Sequence, residues 1–381
     1  MTEVQTISSR ITPPTPRRLL HIRELDGLRG IAALMVFFHH VCYTSIDPTQ
    51  WGSGVRLLRI LTTYGYAGAD VFFVLSGFLI TSLLVEDRAD PAFYRNFYWK
   101  RALRILPLYA LCLLGVLLFI PGSKSYVLLS AFFLANFAHV FNITSTGPFW
   151  TLAIEEQFYL LWPTVVRKRS IPALRRWSLG FAITAIVLRL IAAAFGHHDY
   201  YFTFFHCDGL AFGAYLACSF EEGRLTLPRH TSRSLLGLTL AAAILFTLAH
   251  SLQNAVKPTL IAFAATCLLT GITLFSVAVV AYLIAHTGSR HLGFLRTGLF
   301  PFLGLISYAL YMIHLYVLQA YDQLRGPLPA GDLIAYLIRF VAVATTTLAL
   351  SLASRSLIER PAASLRRYVL KRPSLASDAH P

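Results

Sequence analysis

"LDGLRGIAALMVFFHH", residues 25–40, is the stretch that decides the fold. It is the first apolar run of the chain, and an acid, an arginine and two histidines sit inside it. If it is a helix, Arg29 and His40 are separated by three turns plus about 20°, so they share one face about 16 Å apart. Asp26 lies about 40° from that face and His39 about 100° round. An unpaired ion in hydrocarbon costs several kcal/mol, so this polar stripe must face the interior of a bundle or a wet cavity. Spacing alone leaves two readings even: a catalytic stripe, or a structural Asp26–Arg29 pair with a histidine hydrogen-bonded across helices.

Composition establishes that the stretch belongs to a membrane protein. Hydrophobic residues make up 56% of the 381, charged residues only 13%, and mean hydropathy is +0.60. Too little polar surface remains to cover a soluble globule. Eleven apolar runs long enough to cross a bilayer recur, from about 26–44 to about 332–354, with no long hydrophilic interval. The expected fold is therefore all-α, a polytopic transmembrane helical bundle. Three regions follow: an N-terminal tail (1–24), a transmembrane domain (25–361) and a C-terminal tail (362–381). The first tail has no apolar core of its own and is not read as a cleaved signal peptide.

Basic residues mark the cytoplasmic side. Clusters fall before the first run, between the second and third (Arg88, Arg95, Lys100, Arg101, Arg104) and after the fifth (Arg167, Lys168, Arg169, Arg175, Arg176). Three runs lie between the last two clusters, and an odd number would put those clusters on opposite sides. The stretch 122–149, short and interrupted by Asn136, His139 and Asn142, is therefore expected to re-enter or lie at the interface. About ten spans remain, with both termini cytoplasmic. A net charge of +15 is accounted for by this asymmetry and by anionic lipid, so no nucleic-acid partner is implied. Five scattered cysteines suggest neither a disulfide framework nor a metal site.

Six further stretches follow in order: "GADVFFVLSGFLIT" (68–81), "KRALRILPLY" (100–109), "FWTLAIEEQFYLLWP" (149–163), "DGLAFGAYLA" (208–217), "ISYALYMIHLYV" (306–317) and "IERP" (358–361). Together with the opening stretch they closely resemble the membrane-bound acyltransferase 3 family, over about 24–361. That family O-acylates sugars, polysaccharides and some secondary metabolites from acyl-CoA. His206 departs from the pattern, standing where the family commonly has an arginine before the aspartate, which bears on a donor-site contact. The extra esterase-like domain of some members has no counterpart here, which implies a single-domain enzyme.

The resemblance assigns roles to the residues that physics singles out. His40 matches the family's catalytic histidine, and a neutral imidazole suits the task of taking a proton from an alcohol that attacks a thioester. His39 is expected to pack. Arg101 and Arg104, spaced i, i+3, share a face and with Arg29 are expected to bind the coenzyme A phosphates. Glu155 and Tyr159, spaced i, i+4, project from one face. Glu155 is expected either to orient His40 or to hold the acceptor hydroxyl; otherwise these acids would pair with Arg189 or Arg339 in a structural ion pair. Asp26 joins the catalytic set, while Tyr159, Asp208, Ser307, Tyr311 and His314 are expected around the cavity or acceptor. Ser76 and Gly77 are read as close helix packing, since no nucleophile elbow surrounds the serine. Residues 197–199, "HHD", are read as a solvated turn.

The expected function is an integral membrane O-acyltransferase that moves an acyl group, acetyl foremost, from acyl-CoA to a hydroxyl of a sugar, glycolipid or macrolide. Acyl-CoA would be a co-substrate, with no permanently bound cofactor and no metal. The expected location is a bacterial inner membrane. A transporter or flippase of a lipid-linked or acylated sugar is the alternative, because ten spans with intramembrane charges suit it as well.

Overall fold

The computed structural model describes residues 22–44, 53–144, 147–197, 200–225, 229–251, 256–326, 328–329 and 331–369. Most of both tails, and residues 198–199 of the "HHD" stretch, lie outside them. Among the described residues every regular element is helical. Seven helical segments are long and apolar enough to cross a membrane.

The chain opens with α1 (Arg23–Phe38), which runs on into a π-helical turn, His39–Thr44. A short helix, α2 (Ser53–Thr62), leads to α3 (Gly68–Glu86) and α4 (Phe93–Phe119). Residues 124–141 do not form one span. They make α5 (Lys124–Ala131) and a 3₁₀ segment (Ala135–Phe141), separated by a left-handed residue at Phe133. The Tyr109 hydroxyl donates to the Ser130 carbonyl at 2.6 Å, which ties this segment to the middle of α4 rather than to its end. The break falls in the stretch that Asn136, His139 and Asn142 interrupt, so residues 124–141 do not form a continuous helix long enough to span a bilayer.

After it come α6 (Phe149–Lys168), α7 (Ile171–Ala194), α8 (Thr203–His206), α9 (Asp208–Glu221) and α10 (Arg229–Ser251). The last part comprises α11 (Pro258–Ala285), α12 (Gly293–Arg296), α13 (Leu299–Arg325) and α14 (Leu333–Ser354). A π-helical turn, Arg355–Glu359, then joins α14 to α15 (Arg360–Val369). Helices α6, α9 and α10 match expected spans but fall outside the seven, because α6 carries two glutamates, α9 has 14 residues and the apolar part of α10 is short.

Glycines set the two closest helix pairs. Gly27 and Gly30 of α1 face the backbone of Leu295 and Phe300, and Gly304 of α13 faces the backbone of Asp26. A methyl group at any of the three would run into main chain, so α1 and α13 meet at backbone distance. Gly77 of α3 and Gly213 of α9 do the same for their pair, against Leu210 and Val74. The packing expectation for Gly77 is met.

One end of the bundle gathers the charged connections. The Arg88 guanidinium donates to the carbonyls of Val166 and Arg169, and Arg167 donates to the Asp90 carbonyl at 3.3 Å. The α3–α4 and α6–α7 connections therefore share an end, as the parity of the basic clusters requires. Arg175 pairs with Glu222 at 3.0 Å, bringing the end of α9 there too. The buried Glu24 carboxylate accepts from Arg296 at 3.1 Å and from the Gly288 amide at 2.8 Å, anchoring the start of α1.

Candidate active site

Two chambers open within the bundle, and the polar stripe of α1 reaches both. Arg29 lines the first, a cavity of about 100 Å³. Arg101 and Arg104 enter it from α4, Ser76 from α3, Glu155 from α6, and Ser307 and Tyr311 from α13. The i, i+3 spacing on α4 and the one-face geometry of α1 thus converge three guanidiniums on one space.

The three arginines are held differently. Arg101 lies over the Tyr159 ring, 3.9 Å from its centroid, with its Nε 3.8 Å from Glu156. Arg29 lies 3.8 Å from Asp26. Arg104 makes no hydrogen bond or ion pair among the described residues, although it faces the cavity. The Glu155 carboxylate accepts from the Ser76 hydroxyl at 2.6 Å. A space this polar, with a guanidinium uncommitted to protein, is suited to an anionic ligand with several acceptor oxygens.

The second chamber is larger, about 520 Å³, and is lined by His39, His40, Tyr66, Trp150, Tyr200 and Arg189 among others. His40 and His39 both reach it because the helix widens to a π-helical turn where they stand. Angles taken from 3.6 residues per turn do not hold across such a turn, and π-helical turns recur at functional sites. His39 packs as expected, buried against the Tyr43 ring with its Nδ1 bonded to the Thr62 carbonyl at 3.0 Å, and it also borders the chamber. Tyr311 and Ala69 line both chambers and form the partition between them.

The remaining residues singled out in the sequence fall into place around this pair of spaces. Glu155 lies in the arginine chamber and is absent from the lining of the one that holds His40. The ion pairs considered for it are made otherwise: Arg189 bonds Asp208 at 2.6 Å, and Arg339 bonds Asp322 at 2.6 Å. Asp208 is fully buried in that pair and lines neither chamber, and Tyr159 serves beneath Arg101. Asp26 stays with Arg29. His314 is fully buried behind His40, its Nε2 3.1 Å from His40 Nδ1, rather than lining the cavity. His206 bonds Asp70 at 3.0 Å and lines neither chamber.

Sequence reasoning missed several residues. Ser76 was assigned to packing, yet it bonds Glu155 and lines the arginine chamber. Trp150 sits in a quoted motif and Tyr200 beside "HHD", but neither has a periodicity that marks a cavity. His197, exposed just after the turn at 195–196, also stands at the rim of the histidine chamber.

Comparison with known proteins agrees with the resemblance. A family model described as an acyltransferase domain, that of the acyltransferase 3 family, matches residues 22–355. The O-acetyltransferase OatA of Staphylococcus aureus strain NCTC 8325 is 33% identical over 165 residues, 38% of this chain and 25% of that protein. A protein of strain COL with a provisional O-acetyltransferase name is 29% identical over 184 residues, 43% of this chain and 28% of its own length. The matches thus span about a quarter of each of these relatives. No solved structure matches significantly.

Proposed function

Because this chain belongs to the acyltransferase 3 family, we propose that it is a multi-pass membrane O-acyltransferase with acyl-CoA in the arginine chamber and a hydroxyl-bearing acceptor in the histidine chamber. One observation carries the reading: the chamber with three guanidiniums and the chamber with His40 adjoin, sharing Tyr311 and Ala69 in their walls. Arg29, Arg101 and Arg104 grip donor phosphates, and the thioester reaches toward the partition. An acetyl group is the acyl group proposed, and a sugar, glycolipid or macrolide hydroxyl the acceptor, in line with the names of the relatives for the first.

In the chemical step, His40 takes the hydroxyl proton while the oxygen attacks the thioester carbonyl. The new C–O bond forms, the C–S bond breaks, and the thiolate leaves with the proton returned from the imidazolium. Glu155, kept from His40 by the partition, holds Ser76 and the donor end instead. Its carboxylate balances part of the arginine charge in that chamber.

The topology proposed with this function has ten spans: α1, α3, α4, α6, α7, α9, α10, α11, α13 and α14. Both termini, in the tails 1–24 and 362–381, lie in the cytoplasm of a bacterial cell, and residues 25–361 form one transferase domain in its inner membrane. The basic α3–α4 and α6–α7 connections at one end of the bundle support that orientation.

Purified protein in detergent, given acyl-CoA, is expected to release free thiol faster when a hydroxyl acceptor is added. Transport of a lipid-linked or acylated sugar without thiol release would overturn the enzyme reading and favour a transporter.

A further inference from the structure

We propose that His314 is a positioning residue, which holds the His40 ring and its Nδ1 proton so that Nε2 is the nitrogen that acts as base. The proposal rests on His40 being the base of the transferase reading above, and it adds which atom acts and what keeps it there.

The argument is one of donors and acceptors. A neutral imidazole has one N–H and one bare nitrogen. His314 Nδ1 lies 3.0 Å from the Leu310 carbonyl and 2.8 Å from the Tyr311 carbonyl, and both oxygens can only accept. Its proton is therefore on Nδ1, and Nε2 is bare. That bare nitrogen lies 3.1 Å from His40 Nδ1, which also lies 2.9 Å from the Val36 carbonyl. The Val36 carbonyl and the bare His314 nitrogen are both acceptors at His40 Nδ1, so His40 carries its proton there. The lone pair of the neutral His40 ring is on Nε2.

Two acceptors at one N–H raise the question of what His314 adds. Val36 is one turn earlier on the helix that carries His40, so its carbonyl moves with the ring. His314 belongs to α13, which meets α1 at backbone distance through Gly30 and Gly304. Its bond fixes the ring relative to the opposite wall of the chamber, where Tyr311 stands. When Nε2 takes a proton, the Nδ1–H becomes a stronger donor, and the His314 lone pair is already aimed at it. A histidine does this without adding a charge to an apolar bundle, as a carboxylate would.

Among the described residues, the titratable or charged side chains that line the chamber with His40 have other commitments. His39 on the same helix is committed to the Thr62 carbonyl, and Tyr311 to Thr151. Arg189, across the chamber, is paired with Asp208. Tyr66 and Tyr200 line the chamber wall.

Selective ¹⁵N labelling of histidine in the wild-type enzyme tests the tautomer directly. The expected spectrum has His40 protonated on Nδ1 and bare on Nε2, assigned by its loss in His40→Ala; an Nε2–H form as the main species overturns the proposal. His314→Phe keeps a ring in place but removes the acceptor, and it is expected to lower kcat about 10- to 100-fold with KM for both substrates unchanged. His314→Gln restores a neutral acceptor and is expected to recover most of that loss. Wild-type kcat in His314→Phe, or a folded His314→Gln no better than His314→Phe, would show that His314 acts by packing alone. Activity retained by a folded His40→Ala would instead overturn the base assignment itself, whatever the tautomer.

Discussion

The hydroxyl of Tyr311 lies 2.9 Å from Thr151 Oγ1, and this hydrogen bond ties α13 to α6 at the partition between the two chambers. Thr151 is in turn bonded to the Pro148 carbonyl at 3.0 Å, just before α6 begins. The wall that the two chambers share at Tyr311 is thus held by a small polar network.

Removing the partition is expected to uncouple the reaction. Tyr311→Ala should admit water from the histidine chamber to the thioester, so that thiol release without acceptor rises while acyl transfer falls. Tyr311→Phe keeps the ring and loses one hydrogen bond, about 1 kcal/mol of stability, and should stay coupled. Comparing thiol release with and without acceptor checks both. Tight coupling in a folded Tyr311→Ala protein would show that the partition has no such role.

His40→Ala should leave folding and donor binding nearly intact and slow the chemical step by about two to four orders of magnitude. His39→Ala should do much less, since its Nδ1 is spent on the Thr62 carbonyl. Single-turnover rates measure the difference. A stoichiometric burst of thiol from acyl-CoA alone would point to an acyl-histidine intermediate rather than direct transfer.

The arginines should separate by what holds them. Arg104, with no protein partner among the described residues, is expected to act on the donor alone: Arg104→Ala should raise donor KM about tenfold or more with thermal stability unchanged. Arg104→Lys should recover part, because an ammonium cannot reproduce bidentate phosphate geometry. Arg101→Ala should cost stability as well, since it strips the contacts to Tyr159 and Glu156. Donor KM and melting temperature in detergent, read for each variant, distinguish the two.

Asp208 and Arg189 form a buried pair, and breaking it from one side leaves an uncompensated charge. Asp208→Ala is expected to destabilise the protein by about 3–5 kcal/mol, with the folded fraction still turning over. A melting curve paired with activity per folded molecule tests this. Lost turnover at unchanged stability would place Asp208 in the chemistry instead.

The basic connections predict one topology. Cysteines placed at Arg95 and Arg176 should both resist an impermeant thiol reagent added to intact cells. Reaction at position 176 alone would overturn the ten-span count.

Much of this was legible in one dimension because bilayer crossing is a matter of length and hydropathy, which the sequence states directly. The all-helical class, the break in the stretch near 122–149 and the common end of the basic α3–α4 and α6–α7 connections could all be read from it. The same was true of the i, i+3 face that brings Arg101 and Arg104 together, since helical periodicity converts spacing into direction, whereas the π-helical turn at His39–Thr44 breaks that rule for His40. Only the tertiary structure decided what each polar group meets. Whether Asp208 is a site residue or half of an ion pair depends on where α7 lies. Whether Glu155 stands beside His40 depends on which cavity α6 turns it into, and whether His314 lines a cavity or backs His40 depends on how closely α13 packs on α1. A buried polar side chain must find a partner, but the partner is chosen by packing between helices far apart in the chain, and no local pattern records it.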